Sequence, residues 1–189
     1  ICNTLFYHED QSGFLDDFEY QNGSYISKFS KISKSTEIGK NCVISRGVEI
    51  GKNTIIKNNV IIKNSLIGNN IVICDNTSIG TSGFGFDFNN RGSLNFSPQL
   101  GITIIDDNVH IGTSCTIDRA KIDFTYVGKN SMIDNMVHIA HNVIIGNNAC
   151  LIFDNSPCKN SLFISKVTKK KNIAIKASFI QCKTDNFNP

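Results

Sequence analysis

Several residue types and patterns are scarce or missing from these 189 residues, and each absence excludes a class of protein. Tryptophan is absent, and there are only three prolines. No apolar run approaches the ~18 residues that a membrane-spanning helix needs, so we expect no integral membrane span. The seven cysteines are odd in number and form no C-x-x-C pair, which argues against a disulfide framework or a zinc ribbon. A net charge of +3 is too small to indicate nucleic-acid binding.

The two ends of the chain carry different information. The chain begins at Ile1 rather than Met and shows no signal peptide, and reduced cysteines are typical of a cytoplasmic protein. The last 35 residues contain seven lysines, against one acidic residue, Asp185. Such a basic tail either binds an acidic partner or is a solvated surface segment.

Isoleucine and asparagine are abundant, and the isoleucines follow a regular spacing. An aliphatic residue recurs every six positions, often with Gly directly after it, as in Ile38-Gly39. The positions are Ile26, Ile32, Ile38, Ile44, Ile50, Ile56 and Ile62, then Ile67, Ile73 and Ile79, then Ile105, Ile111 and Ile117, and finally Val127, Ile133, Ile139, Ile145 and Leu151. A small or β-branched residue, such as Cys42 or Cys115, usually follows four positions later.

A period of six fits neither an amphipathic helix nor an alternating strand. It predicts an all-β fold, a parallel β-helix in which each triangular coil takes three hexapeptides and the aliphatic side chains stack inside at 18-residue intervals. Successive coils would then lie about 4.8 Å apart, the hydrogen-bonding distance between strands. Glycine and asparagine at the corners would supply positive φ angles.

Two interruptions and one ending divide the repeat. The interruptions, residues 81–103 and 118–126, predict two loop insertions. After Leu151 the next aliphatic position is occupied by Pro157, and the pattern stops. We therefore expect a linker or remnant of a preceding domain in residues 1–24, the β-helix in residues 25–152, and a divergent basic tail in residues 153–189.

The first insertion is aromatic. It contains Phe84, Phe86, Phe88 and Phe96 between typical loop residues. Rings on a looped-out segment either pack against the flank of the β-helix or a neighbouring subunit, or they form a wall for an apolar ligand.

Two histidines lie near the end of the repeat, in the segment NMVHIAHN. His138 directly precedes the inward Ile139 and His141 follows it by two positions, so both are expected to project outward. An outward histidine is suited to general base catalysis, and Asp134 is close enough to orient an imidazole. The spacing is equally compatible with two ordinary surface histidines. A zinc site that adds His110 is a further alternative, although the spacing does not show that the three side chains share a groove.

Three stretches together resemble one family of enzymes. TSGFGFDFNNRG, IDDNVHIGTSCTIDRAKID and VGKNSMIDNMVHIAHNVIIGNNA resemble, in this order, segments of UDP-3-O-(3-hydroxyacyl)glucosamine N-acyltransferases of lipid A biosynthesis, a branch of lipid biosynthesis that supplies lipopolysaccharide. The resemblance covers residues 26–151 and implies a left-handed β-helix. Relative to the family, the chain lacks the N-terminal uridine-binding domain and the later coils and helices.

The resemblance also implies a mechanism and its residues. The 2-amine of the UDP-linked glucosamine attacks a 3-hydroxyacyl thioester carried on acyl carrier protein, and His141 is the general base. Asp134, Asn135 and His138 match positions that line the substrate groove, and Phe84 and Phe86 match an aromatic loop with a role in binding the acyl chain. No metal and no cofactor are expected beyond the phosphopantetheine of the carrier protein.

The same resemblance predicts a cytoplasmic homotrimer with its groove between subunits. Two alternatives remain open: a non-catalytic β-helix fragment or assembly module, and a hexapeptide-repeat metal hydratase.

Overall fold

The computed structural model describes residues 17–88 and 92–152, together with the backbone of residues 163–164. These residues form the predicted all-β fold, a left-handed parallel β-helix of hexapeptide repeats with two insertions. Residues 17–88 and 92–152 contain no helix with the length and apolar character that a membrane crossing requires.

Most strands are only two residues long, because each face of the triangular coil is short. The strands are β1 Phe18–Gln21, β2 Ser24–Ser27, β3 Lys31–Ile32, β4 Glu37–Ile38, β5 Val43–Ile44, β6 Glu49–Ile50, β7 Ile55–Ile56, β8 Ile61–Ile62, β9 Ser65–Ile67, β10 Val72–Ile73, β11 Ser78–Thr81, β12 Phe86–Phe88, β13 Leu94–Phe96, β14 Ile102–Ile105, β15 His110–Ile111, β16 Thr116–Asp118, β17 Phe124–Val127, β18 Met132–Ile133, β19 His138–Ile139, β20 Ile144–Ile145, β21 Cys150–Leu151 and β22 Phe163–Ile164.

Every third strand joins the same sheet, which gives three parallel faces. Sheet A has the order β1-β2-β5-β8-β11-β16-β19-β22, sheet B the order β3-β6-β9-β14-β17-β20, and sheet C the order β4-β7-β10-β15-β18-β21. Among the described strands of these three sheets, only β1 is antiparallel to its neighbour, and it covers the edge of β2 in the first coil. At the other end, the backbone of β22 pairs with β19.

The core is three columns of aliphatic side chains, one column for each sheet. In sheet A the column is Ile26, Ile44, Ile62, Ile79, Ile117 and Ile139. In sheet B it is Ile32, Ile50, Ile67, Ile105, Val127 and Ile145. In sheet C it is Ile38, Ile56, Ile73, Ile111, Ile133 and Leu151. The predicted inward stacking is therefore confirmed, and most of these side chains are fully buried.

The corners depend on asparagine, as the composition indicated. Most non-glycine residues with positive φ in the described ranges are asparagines. At one corner the amides form a ladder along the helix axis, with each Nδ2 donating to the next Oδ1 at 3.0–3.2 Å. The ladder runs through Asn53, Asn70, Asn108, Asn130 and Asn148. Asparagine thus supplies both the left-handed turn and the bond to the next coil.

Both insertions leave the β-helix at the same corner, the one between sheets A and B, in successive coils. The first lies between β11 and β14 and contains the antiparallel hairpin β12–β13. The second lies between β16 and β17 and is shorter than the sequence indicated, because β17 resumes at Phe124, opposite Ile102. The next coil makes its turn at this corner with His141, between β19 and β20.

A bulge at Gly80 directs the chain into the first insertion. Ile79 pairs with Ile117, but Thr81 pairs with Asp118, so the register shifts by one residue. Gly80 has a φ of +76°, and an added Cβ there would collide with the carbonyl oxygen of Lys63 in the preceding coil. Only glycine fits this position without displacing backbone.

Candidate active site

Three consecutive coils contribute residues to the corner between sheets A and B. The first insertion supplies Gly83, β16 supplies Asp118, and the turn after β19 supplies His141. They are in close contact, because an ideal Cβ on Gly83 would lie 2.9 Å from Asp118 Oδ2 and 3.2 Å from His141 Cδ2. The insertion therefore begins directly over the carboxylate and the imidazole.

His138 is held through both ring nitrogens by the preceding coil. Its Nδ1 lies 2.6 Å from Thr116 Oγ1, and its Nε2 lies 3.6 Å from Asp118 Oδ2. Thr116 and His138 are direct neighbours in sheet A, which explains the alignment. The Nδ1 contact is a hydrogen bond, whereas the Nε2 contact is longer than one, so the carboxylate orients the ring without occupying Nε2.

Asp118 is the buried acidic group of the site. Its side chain is 9% exposed, against 27% for His138. Burial raises the pKa of the Asp118 carboxyl, and the charges of His138 and then His141 act in the opposite direction. The carboxylate is thus removed from water and depends on the two imidazoles for compensation.

His141 has one ring nitrogen fixed and one available. Its Nδ1 lies 3.0 Å from Asn142 Oδ1. The amide orientation of Asn142 is set by two other bonds: Oδ1 accepts from the backbone N–H of Lys121, and Nδ2 donates to the carbonyl of Ile122. Because Oδ1 can only accept, Nδ1 carries the proton and Nε2 keeps its lone pair. Among the described residues, Nε2 has no hydrogen-bond partner.

A buried arginine joins the two insertions below the site. Arg119 is 2% exposed, and its Nε and Nη2 donate to the carbonyls of Gly101 and Leu100 at 2.7 and 3.0 Å. Its backbone N–H donates to Thr81. Arg119 therefore fixes both ends of the first insertion, one through its side chain and the other through its backbone N–H.

Replacement of Arg119 by methionine is expected to destabilise the protein. The variant leaves two buried carbonyls without these donors, at a cost of about 1–3 kcal/mol each. We expect a loss of roughly 2–5 kcal/mol in the free energy of unfolding, measured from the urea midpoint. Lys121→Met is the matched control, since Lys121 makes a partly exposed ion pair with Asp87 and should cost less than about 1 kcal/mol. Equal losses in the two variants would contradict this role of Arg119.

The aromatic residues of the first insertion begin with Phe84, one residue beyond Gly83. The rings of Phe84 and Phe86 lie 4.7 Å apart, and Phe86 meets Phe96 edge-on at 6.0 Å. Phe84 is 87% exposed and Phe86 43% exposed. The first insertion therefore presents an exposed apolar surface that begins next to Gly83 in the chain.

Asp134 and Asn135 lie at the opposite end of β19, on the corner between sheets C and A. Asn135 Oδ1 accepts from the backbone N–H of Thr113 at 2.7 Å, and Asp134 Oδ1 accepts from that of Asn135. Asn58 makes the same corner contact with Lys40 in another coil, so this use of Asn135 is shared with other turns of the repeat. β19 thus separates these two residues from His141 along one coil.

His110 does not join the other histidines. It lies on sheet C, in β15, whereas His138 lies on sheet A, and its Nε2 is 3.7 Å from Cys74 Sγ. In the part of the chain that the structure describes, no three His, Cys, Asp or Glu side chains gather as a metal site would require.

Sequence reasoning did not identify Thr116, Asp118 and Asn142 as parts of the site. The repeat contained a signal for the first two, since Ile117 and Ile139 occupy the same column and Thr116 and His138 each precede one of them. No periodic signal indicates Gly83, because its position depends on the path of the insertion.

Comparison with known proteins identifies proteins that are similar to this chain in sequence and in fold. The pattern described as bacterial transferase hexapeptide (six repeats) matches residues 29–64 and 124–151. UDP-3-O-acylglucosamine N-acyltransferase of Syntrophobacter fumaroxidans is 47% identical over 74 residues, 39% of this chain and 21% of that protein. The enzyme of the same name from Francisella tularensis is 51% identical over 73 residues, 39% of this chain and 22% of that protein. The chain spans about a fifth of the length of these curated relatives.

Solved structures show the same architecture. The UDP-N-acetylglucosamine acyltransferase of Francisella novicida has a TM-score of 0.59 at 32% identity, over 67% of this chain and 45% of that one. LpxA of Bacteroides fragilis, also a UDP-N-acetylglucosamine acyltransferase, has a TM-score of 0.63 at 28% identity, over 77% of this chain and 52% of that one. The resemblance found in the sequence is confirmed: the chain is similar to bacterial transferase hexapeptide repeats over residues 29–64 and 124–151 and, over 39% of its length, to UDP-3-O-acylglucosamine N-acyltransferases.

Proposed function

We propose that this chain belongs to an N-acyltransferase of lipid A biosynthesis that transfers a 3-hydroxyacyl group from acyl carrier protein to the 2-amine of a UDP-3-O-acyl-glucosamine. The names of the relatives support the reaction class. The observation that carries the proposal is the geometry of His141, whose Nδ1 is fixed by Asn142 and whose Nε2 is available as a base.

The proposed reaction is one acyl transfer with one proton transfer. The amine nitrogen attacks the thioester carbonyl, a C–N bond forms, and His141 Nε2 takes a proton from the nitrogen. When the tetrahedral intermediate collapses, the C–S bond breaks and the thiolate of the phosphopantetheine takes a proton. The products are an amide and a free thiol, and no oxidant, metal or further cofactor enters the balance.

The other predicted site residues receive complementary roles in this proposal. His138, held by Thr116 and Asp118, is a fixed polar group beside the reacting centre, and Asp134 and Asn135 bind the acceptor farther along the same coil. Phe84 and Phe86 form an apolar wall next to the base, in the position where an acyl chain would leave the thioester. A homotrimer in the cytoplasm remains part of the proposal.

The direct test is turnover by the full chain with a 3-hydroxyacyl carrier protein and UDP-3-O-acyl-glucosamine, with amide formation followed by mass spectrometry. Formation of the N-acylated sugar together with free carrier thiol supports the proposal. A folded protein that neither turns over nor binds the acyl carrier protein would contradict it and would favour a non-catalytic assembly module. Bound zinc in the purified protein would favour a metal hydratase.

Close packing at Gly83 leads to a prediction about activity. Alanine there would place a methyl group 2.9 Å from Asp118 Oδ2 and 3.2 Å from His141 Cδ2, so the carboxylate and the imidazole must shift. Displacement of a reacting group by about 1 Å can cost on the order of a hundredfold in rate. We expect Gly83→Ala to lower kcat by roughly ten- to a hundredfold, measured by steady-state kinetics, while the fold is retained.

Gly146→Ala is the matched control. Gly146 also follows an inward isoleucine, but no atom of the described residues would lie within 4 Å of an added Cβ there. This variant should have the kcat of the wild type. If Gly83→Ala and Gly146→Ala had the same activity, the contact between the insertion and His141 would have no part in catalysis.

A further inference from the structure

Asp118 lies one coil after the aromatic insertion and one coil before His141, and its position suggests more than a structural role. Its side chain is buried, yet it does not face the apolar core, because Ile117 occupies the inward position next to it. The carboxylate points instead to the corner where His138, His141 and Gly83 meet.

The Asp118 carboxylate is surrounded by two imidazoles, those of His138 and His141. From the following coil, His138 Nε2 approaches Asp118 Oδ2 at 3.6 Å, and His141 lies near enough for its charge to act on the carboxyl. From the preceding coil, Gly83 contributes only backbone. On its own strand the charged neighbour is Arg119, whose guanidinium donates to the carbonyls of Gly101 and Leu100.

We propose that Asp118 is a positioning residue for acyl transfer, which fixes the ring of His138 and balances the positive charge that His141 acquires when it takes the proton of the amine. This inference rests on the proposed function. A buried carboxylate close to a base stabilises the protonated form of the base, because charges interact more strongly where water is excluded. The same carboxylate orients His138, since Thr116 holds the other ring nitrogen.

The arrangement explains why two histidines so close together have different tasks. His138 has its Nδ1 hydrogen-bonded to Thr116 and its Nε2 directed at Asp118. His141 has only Nδ1 engaged. The imidazolium that forms on His141 is then balanced by the Asp118 carboxylate, which also contacts the fixed ring of His138. No further ion is needed for charge balance at the site.

Asp118→Asn tests the proposal with an isosteric change in the full chain. Loss of the anion makes His141 a weaker base and leaves its cation uncompensated. We expect the plateau of kcat/KM to fall roughly ten- to a hundredfold, the usual effect of removing a group that orients a functional side chain. The acid limb of the profile of kcat/KM against pH should move to lower pH. The fall in kcat/KM should come from kcat rather than from KM. A merely structural role would lower the plateau and leave the limb in place, and that result would overturn the proposal.

Asp106→Asn is the control for removal of one carboxylate. Asp106 follows β14 on sheet B and accepts a hydrogen bond from Tyr126 at 2.9 Å, away from the histidines. This variant should keep both the plateau and the acid limb of the wild type.

A second measurement separates this inference from the proposed function and from loss of fold. The titration of the Asp118 carboxyl, followed by carbon NMR, needs no substrate and reports directly on its contact with the imidazoles. If Asp118→Asn does not fold, His138→Gln keeps the carboxylate, and carbon NMR should show the titration of Asp118 displaced to higher pH. Unchanged titrations would overturn the inference even if the enzyme were active. Shifted titrations in a protein without turnover would instead contradict the proposed function.

Discussion

Replacement of His141 by alanine is expected to lower kcat by about two to four orders of magnitude, the usual contribution of a general base. The reason is that His141 presents the unpaired Nε2 at this corner, with its tautomer set by Asn142. His138 is expected to be a poor substitute, because Thr116 occupies its Nδ1 and its Nε2 is directed at Asp118. Steady-state kinetics with the acyl carrier protein substrate give the measurement.

The fold should not change in this variant. His141 is half-buried in a turn, and among the described residues its side chain hydrogen-bonds only to the adjacent Asn142. His110→Ala is the matched control, since it removes an exposed histidine from sheet C and should leave kcat unchanged. A His141→Ala protein that kept more than about a tenth of the wild-type kcat would exclude His141 as the base.

Gly80→Ala should cause the largest loss of stability among the substitutions considered, about 3–5 kcal/mol in the free energy of unfolding. Two effects combine at this position. The φ of +76° is unfavourable for alanine, and the added methyl group collides with the carbonyl of Lys63, which is backbone and cannot move alone. Because the bulge directs the chain into the first insertion, activity should fall with stability. Urea denaturation gives the measurement.

Gly47→Ala separates the two effects. Gly47 has nearly the same φ, +74°, but nothing lies within 4 Å of an added Cβ. This variant should lose only the backbone term, about 1–2 kcal/mol. If the two alanine variants were equally stable, the contact with Lys63 would contribute nothing, and the bulge would tolerate side chains.

The sequence predicted the β-helix well because its repeat is a property of the coil itself. One aliphatic position in six, as at Ile117 and Ile139, is enough to define the inward columns, since each coil packs only on its neighbours. The abundant asparagine likewise indicated the left-handed turns. The extent of the second insertion was less accurate, because Phe124 pairs with Ile102 outside the six-residue pattern.

The candidate site was harder to predict, because its parts come from different coils. His138 and His141 were recognised from their segment, and their roles as substrate-binding residue and base remain proposals. Asp118 and Gly83 were not recognised, since neither has a spacing of its own that indicates contact with a histidine.

The sequence by itself determined the coil, its inward columns and its asparagine corners, because these depend on contacts between residues one coil apart and repeat along the chain. Only the tertiary structure decided that both insertions leave at the corner of His141, that Gly83 lies against its ring, and that Arg119 holds the insertions together. These contacts depend on the path of irregular segments, and that path follows from packing and buried hydrogen bonds rather than from any period in the sequence.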